Sequence, residues 1–243
     1  MFSEYYAELY DLIHAEKNYA SEVQDIVKIL DITAPISLRG FDFGCGTGAH
    51  ASEFYKLGIL VDGYDISQDM LDVAKKKNLG LKFSNNLKDF PTEYDFTYSL
   101  FDVLSYQVSE QDALKLLSAL YARTKPGGVA LVDSWNAAGV LRDPPKVNER
   151  VVRTKGQDVI RRVTPNLISA DSGLYRLEID LLLGDSKNVI RSEIHLIKAW
   201  APTQILEMMS ELGFADLELF RPKNPGHQFD ELDWRFGIKG RKS

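Results

Sequence analysis

Apolar and polar positions change their period along this chain, and each change predicts an element. Tyr19, Val23, Ile26, Val27 and Leu30 recur at spacings of three, four or one, which sets them on one face of a helix. Pro35 closes that segment, and residues 36–42 form a short apolar run ending in glycines. Strands and helices then alternate. The pattern predicts a strand within 58–66, a helix over 70–77 capped by Ser67 or Asp69, and a weak strand at 81–84. A fourth strand over 96–101, a helix over 110–124, a turn at Pro126-Gly127-Gly128 and a fifth strand over 129–134 follow. Such alternation implies a parallel sheet with helices on both faces.

Between Val151 and Trp200 the helical period disappears. Tyr175, Leu177, Ile179, Leu181 and Leu183 alternate with Arg176, Glu178 and Asp180, the pattern of a half-buried antiparallel strand. Similar runs at 151–152, 159–163 and 189–200 are separated by turn residues, so an antiparallel meander interrupts the α/β pattern. A helix returns over 203–212, with Thr203 as its expected N-cap and Gly213 as its stop, and strands over 217–220 and 234–239 close the chain.

Composition narrows the function. The chain has 243 residues, 44% of them hydrophobic, which suffices for a substantial core and excludes disorder. A net charge of -6 argues against a general nucleic-acid binder. One cysteine, Cys45, excludes a disulfide framework and a cysteine-rich metal site, and no His/Asp/Glu spacing suggests a metal. No apolar run approaches the roughly 20 residues of a membrane span, and the opening residues lack a signal-peptide pattern. The expectation is a cytoplasmic enzyme with a small-molecule substrate, no nucleic-acid partner and no membrane.

The sharpest motif is Phe41-Asp42-Phe43-Gly44-Cys45-Gly46-Thr47-Gly48, between a strand and a helix. Glycines there permit a tight turn and let a ligand touch the backbone. Extended to Ala49, the stretch also fits the dinucleotide fingerprint G-x-G-x-x-G/A, and the glycines alone do not separate the two readings. Asp65, at the end of the second strand, is placed to take both hydroxyls of a ribose.

This motif, followed by Gly63-Tyr64-Asp65-Ile66-Ser67 with Met70-Leu71 and by Lys125-Pro126-Gly127-Gly128, resembles the class I S-adenosylmethionine-dependent methyltransferases. The resemblance implies an α/β, Rossmann-like seven-stranded sheet whose last strand is antiparallel, with the meander as an inserted antiparallel β-sheet after the fifth strand. One domain over 1–243 is expected. It comprises a helical cover over 1–34, a cofactor-binding core over 35–139 and 201–243, and the inserted sheet over 140–200. The implied cofactor is S-adenosyl-L-methionine. Gly44, Gly46 and Gly48 would line its methionine part, Asp65 would hold the ribose, and Ile66 and Met70 would lie beside the adenine. Asn86, where the family often has an aspartate, would accept from the adenine amino group, and Leu87 would pack on the ring. Leu100, Phe101 and Asp102 would approach the sulfonium; Tyr19, Asp42 and Cys45 complete the implied cofactor set, Cys45 as a small turn filler.

Ala7-Glu8-Leu9-Tyr10-Asp11 and the inserted sheet resemble the nucleotide-sugar N,N-dimethyltransferases. Asp133-Ser134-Trp135-Asn136 and Val140-Leu141-Arg142-Asp143 also look like a broader group of bacterial small-molecule methyltransferases. The sugar enzymes have a tyrosine and a histidine near the acceptor. Here the places read His14 and Tyr106, the two types exchanged, and these are the candidate catalytic residues. Tyr6, Tyr10, Trp135, Asn136, Arg142 and His195 are the candidate substrate contacts. From Arg142 to Arg162 there are seven cations against three anions, a basic stretch that suits an anionic substrate. A homodimer is compatible with the inserted sheet. Another small amine or carboxylate acceptor, an NAD-dependent dehydrogenase and a cofactor-binding subunit without turnover are the alternatives.

Overall fold

The computed structural model describes residues 4–243 apart from 33–37, 78, 155, 185 and 225; the side chains of residues 4–6 and 8 lie outside it. Pro35, Lys155 of the basic stretch and the side chain of Tyr6 therefore fall outside the described residues.

Two helices, α1 (Glu4–Ile13) and α2 (Tyr19–Ile29), precede the first strand, β1 (Arg39–Phe43). The expected alternation follows: α3 (Ala49–Lys56), β2 (Leu60–Tyr64), α4 (Gln68–Lys76), β3 (Phe83–Ser84), β4 (Tyr94–Ser99), α5 (Glu110–Arg123) and β5 (Thr124–Trp135). Local chemistry explains the boundaries. The Ser67 hydroxyl accepts from the Met70 N–H at the start of α4, and Ser109 caps α5 through Asp112 N–H at 3.1 Å. Both helices bury their apolar stripes, Met70, Leu71 and Ala74 in one and Ala113, Leu116, Leu117 and Leu120 in the other.

Then come the short helix α6 (Ala137–Arg142), the strands β6 (Asn148–Val152), β7 (Val159–Ser169), β8 (Leu174–Leu183) and β9 (Val189–Lys198), the helix α7 (Pro202–Glu211) and the strands β10 (Phe214–Phe220) and β11 (Arg235–Lys242). The seven-stranded sheet has the order β10-β11-β5-β4-β1-β2-β3, with β11 antiparallel to both neighbours and β1 to β5 parallel. Strands β6 to β9 pair in sequence as an antiparallel four-stranded sheet. The fold class read from the sequence is the one observed.

Four local expectations need correction. The fourth strand ends at Ser99, because Phe101 and Asp102 take φ of +67° and +68°, which no strand accommodates. Thr124 already pairs with Tyr94, and pairing resumes at Val129 with Phe96, so the expected Pro126-Gly127-Gly128 turn is a bulge inside β5. Helix α6 was not foreseen. Ala201, not Thr203, is the N-cap of α7, where Pro202 occupies the first turn and the Gln204 side chain accepts from the Ala201 N–H.

Apolar clusters line both faces of the large sheet, around Phe41, Leu116 and Trp200 on one and around Phe54, Leu71 and Tyr98 on the other. A third cluster joins Ala7, Leu9 and Ile13 of α1 to Met70 and to Val152, Val159, Ile179 and Leu181 of the smaller sheet. This cluster turns one face of the inserted sheet toward α1 and the carboxyl ends of β1, β2 and β4.

Candidate active site

Open parallel sheets bind ligands beyond the carboxyl ends of their strands. At the end of β1, the N–H groups of Gly44 and Cys45 both donate to the Tyr64 carbonyl, at 2.7 and 2.9 Å. The Gly46 N–H donates to one Asp65 carboxylate oxygen at 2.8 Å, and the Ser67 N–H donates to the other at 2.8 Å. The Thr47 hydroxyl donates to Asp11 of α1 at 2.5 Å, which ties the helical cover to the turn. Gly44, Gly46 and Gly48 all have positive φ, yet only Gly46 has open space where a Cβ would stand. Cys45 is buried with its thiol pushed up by burial, in keeping with a turn filler.

Burial dominates the acids of this end. The Asp42 carboxyl is pushed up to about 8 by desolvation, partly offset by the Tyr98 hydroxyl, so it holds a proton at neutral pH. Burial also raises Asp65, against the opposing N–H groups of Ser67, Gly46 and Ile66.

Beyond β4, the left-handed backbone of Phe101 and Asp102 sends two successive N–H groups to the Asp133 carboxylate, at 3.1 and 2.8 Å. Each such conformation costs an L-residue on the order of 1–3 kcal/mol, and the two bonds to a buried carboxylate offset it. Asp133 is itself raised, by burial first and then by the Asp102 charge. Arg235 donates to Asp102 Oδ2 at 2.5 Å, while the buried Asp102 Oδ1 has no hydrogen-bond partner among the described residues. The Lys17 ammonium sits 3.4 Å from the centre of the Phe101 ring and 4.4 Å from that of Tyr19, and pairs with Glu22 at 3.0 Å. Glu22 also meets His50 at 2.9 Å, and the His50 ring stands edge-on to Tyr19.

The His14 ring lies 4.5 Å from the Tyr10 ring and 5.4 Å from that of Phe101. Burial lowers its pKa to about 3, aided by the charges of Arg161, Lys17 and Arg150. His14 is therefore a neutral imidazole at neutral pH. Arg150 and Arg161 are direct partners across β6 and β7, on the face shared with Val152 and Val159. Arg162 points to the other face and pairs with Glu149. So the basic stretch divides between two faces, and Arg150 and Arg161 are its members beside His14.

Tyr106 ends the 3-10 turn Leu104–Tyr106, and its hydroxyl lies 3.2 Å from Nδ1 of His195 on β9. Nε2 of His195 lies 3.3 Å from the Glu193 carboxylate. Glu193 escaped the sequence reading, although its place two residues before His195 on a strand puts both on one face. Lys17, Asp133, Arg235 and Arg161 were not singled out as site residues either; they come from four separate segments, and no local pattern joins them.

The remaining candidates sit in varied surroundings. Met70 is buried in the cluster under α1 rather than open beside the turn, and Ile66 is exposed. Asn86 Oδ1 accepts from the Lys88 N–H at 3.1 Å, and Leu87 packs partly into the core. Trp135 packs against the tilted rings of Tyr175 and Trp234. The Asn136 amide donates to the carbonyls of Glu231 and Asp233, both at 2.7 Å, so it fastens the loop before β11. Arg142 is exposed at the end of α6, near Asp143 and Asp233.

Residues 41–128, from β1 to the bulge in β5, match a family model described as a methyltransferase domain. Over 204 residues the chain is 28% identical to the dTDP-3-amino-3,4,6-trideoxy-alpha-D-glucopyranose N,N-dimethyltransferase of Streptomyces venezuelae, covering 81% of this chain and 84% of that protein. The chain is an S-adenosylmethionine-dependent methyltransferase. Its fold matches the solved structure of Streptomyces venezuelae DesVI with a TM-score of 0.78 at 23% identity, over 98% of each chain. It also matches an S-adenosylmethionine-dependent methyltransferase from Clostridium acetobutylicum, with a TM-score of 0.77 at 19% identity and 98% of each chain covered.

The methyltransferase has polar groups that fit this cofactor. S-Adenosylmethionine ends in an ammonium and a carboxylate on one carbon. The unpartnered Asp102 Oδ1 is an acceptor suited to the ammonium, and Lys17 is a buried cation suited to the carboxylate. The open side of Gly46 leaves room for a ligand against the backbone.

Proposed function

We propose that this methyltransferase transfers methyl groups to the amino nitrogen of a nucleotide-linked deoxysugar. The observation that carries the reading is the similarity, across most of the chain, to a dTDP-aminosugar N,N-dimethyltransferase. Arg150 and Arg161 support it, since guanidinium pairs suit the diphosphate of a nucleotide-sugar.

In this reading Gly44 and Gly46 line the methionine part of the cofactor and Asp65 holds its ribose, with Asn86 and Leu87 at the adenine. Lys17, Asp102, Tyr19 and Phe101 surround its amino-acid end. Bound there, the cofactor supplies an electrophilic methyl carbon. The chain's own work is to align the acceptor nitrogen, exclude water with Tyr10, His14 and Phe101, and accept a proton. His14 and Tyr106 face the acceptor; the neutral His14 imidazole can accept a hydrogen bond from it.

The reading also takes the substrate as anionic and the enzyme as a cytoplasmic homodimer. Ile168, Ile194 and Leu196, exposed on the outer face of the inserted sheet, support pairing with a second copy. No described helix is long and apolar enough to cross a membrane.

The experiment is to incubate purified protein and S-adenosylmethionine with a panel of dTDP-aminosugars, free aminosugars and small amines or carboxylates, and to follow methylation by mass spectrometry. Methylated nucleotide-sugars are expected. Turnover confined to acceptors without a nucleotide overturns the substrate assignment.

A further inference from the structure

The inserted sheet carries titratable residues to the turn that follows β4. Three facts concern the residues it brings to the catalytic end. First, Tyr106, His195 and Glu193 form a continuous chain of contacts, 3.2 Å from the tyrosine hydroxyl to Nδ1 and 3.3 Å from Nε2 to the carboxylate. Second, Tyr106 is 39% exposed, whereas His195 and Glu193 behind it are buried, at 5% and 8%. Third, the turn carrying Tyr106 is fixed on the ends of β4 and β5. The Ser105 hydroxyl contacts that of Ser134 at 2.8 Å and accepts from the Trp135 N–H at 2.9 Å, while the Trp200 indole donates to the Leu104 carbonyl at 3.3 Å.

A carboxylate can only accept a hydrogen bond, so Nε2 carries its proton toward Glu193 and leaves the Nδ1 lone pair facing the Tyr106 hydroxyl. A buried carboxylate beside a buried imidazole is costly unless a proton is to be held between them. On this face the other charged groups among the described strand residues are Arg150, from β6, its partner Arg161, from β7, and Arg191, whose guanidinium lies 3.9 Å from the second Glu193 oxygen. Arg161 opposes a proton on either His14 or His195; the Asp11 charge favours one on His14, whereas His195 has the Glu193 carboxylate within hydrogen-bond distance to offset it.

Resting on the assignment of an amine acceptor, we propose that Tyr106, His195 and Glu193 form the proton relay of this methyltransferase. The acceptor ammonium passes its proton to the Tyr106 oxygen as the tyrosine passes its own to His195 Nδ1. The result is a neutral amine, whose lone pair is free to attack, an unchanged tyrosine, and an imidazolium paired through Nε2 with the Glu193 carboxylate. The imidazolium returns its proton to solvent when product leaves. Tyr106 is the catalytic residue in this scheme; His195 and Glu193 act through it.

The test is a pH profile of kcat and KM for Tyr106→Phe, His195→Asn and Glu193→Gln, with the wild-type enzyme on its methylated amine and S-adenosylhomocysteine affinity measured in parallel. Tyr106→Phe and His195→Asn are expected to lower kcat by roughly a hundredfold or more while KM and S-adenosylhomocysteine affinity hold. Glu193→Gln is expected to lower kcat less and to move the acidic limb to lower pH, because the carboxylate strengthens the hold of the imidazole on its proton. Variants whose kcat stays within about twofold of wild type, a loss expressed only in KM, or an unmoved acidic limb in Glu193→Gln overturn the relay. If the buried His195→Asn fails to fold, Tyr106→Phe, whose ring is partly exposed, decides. A wild-type enzyme that methylates no amine refutes the substrate assignment instead, so the two failures are distinct.

Discussion

The Gly46 N–H donates to the Asp65 carboxylate at 2.8 Å, and so binds the glycine turn to the end of β2. The same carboxylate accepts from Ser67 at the start of α4. Asp65→Ala removes the acceptor of both bonds. Charge-assisted bonds of this kind contribute about 1.5–3 kcal/mol each, so a fall in thermal midpoint is expected by calorimetry. Asp65→Asn keeps one acceptor oxygen and is expected to lose less stability. Both variants are expected to weaken S-adenosylhomocysteine, by titration calorimetry, if Asp65 holds the ribose.

Gly44 and Gly46 separate structural from ligand-facing glycines. A Cβ at Gly44 would meet the Val103 side chain at 2.6 and 2.7 Å with φ at +89°, so Gly44→Ala is expected to destabilise the fold by roughly 2 kcal/mol or more. At Gly46 φ is +52° and the space is open, so alanine costs about 1 kcal/mol of backbone strain. Its methyl group would project into the proposed cofactor space. Gly46→Ala is therefore expected to keep most of its denaturation midpoint and lose cofactor binding. Unimpaired binding in Gly46→Ala would remove this glycine from the cofactor wall.

Asp42 predicts a pH dependence of stability with a definite sign. Its native pKa, pushed up to about 8, exceeds the ordinary carboxylate value of 3.8. Between those values the native state keeps a proton that the unfolded chain has released, so the contribution is full below the lower value and is lost as pH rises through the upper one. Urea unfolding from about pH 5 to about pH 8 is expected to show stability falling with pH, with a shallower slope in Asp42→Asn. Asp65 and Asp133 are raised in the same direction, so some slope is expected to remain.

Lys17 carries its charge into the interior against Phe101 and Tyr19, and burial lowers its pKa against the pull of Glu22, Asp133 and Asp102. Lys17→Met preserves the stem and removes the charge. A roughly tenfold or greater loss of S-adenosylhomocysteine affinity is expected, corresponding to one charge-assisted bond. The same substitution is expected to weaken an analogue without the carboxylate far less. Equal losses for both ligands would show that Lys17 acts through packing.

The alternation of strand and helix periods, the switch to period two after Val151 and the run Gly44-Cys45-Gly46-Thr47-Gly48 determined most of the fold by themselves. These signals are local: side-chain period sets burial, and glycine sets the turn. The ends of elements were less legible, because neighbours decide them. Phe101 and Asp102 leave β4 early since Asp133, 32 and 31 residues away, captures their N–H groups. Pairing of β5 with β4 likewise absorbs Lys125 to Gly128 into a bulge.

The acceptor side of the site was legible only in fragments. Tyr106 and His195 stood in the sequence as separate candidates 89 positions apart, and Glu193 as an ordinary strand residue. Nothing local could join them, because the contact exists only once β9 crosses the turn after β4. Likewise, strand alternation alone leaves two faces for the basic stretch; packing of Val152 and Val159 under α1 chose the face that carries Arg150 and Arg161. Sequence determined the sheet and the glycine turn, since both follow from periods and backbone freedom. Tertiary structure decided which charged and titratable groups meet, since that depends on which buried face each strand presents.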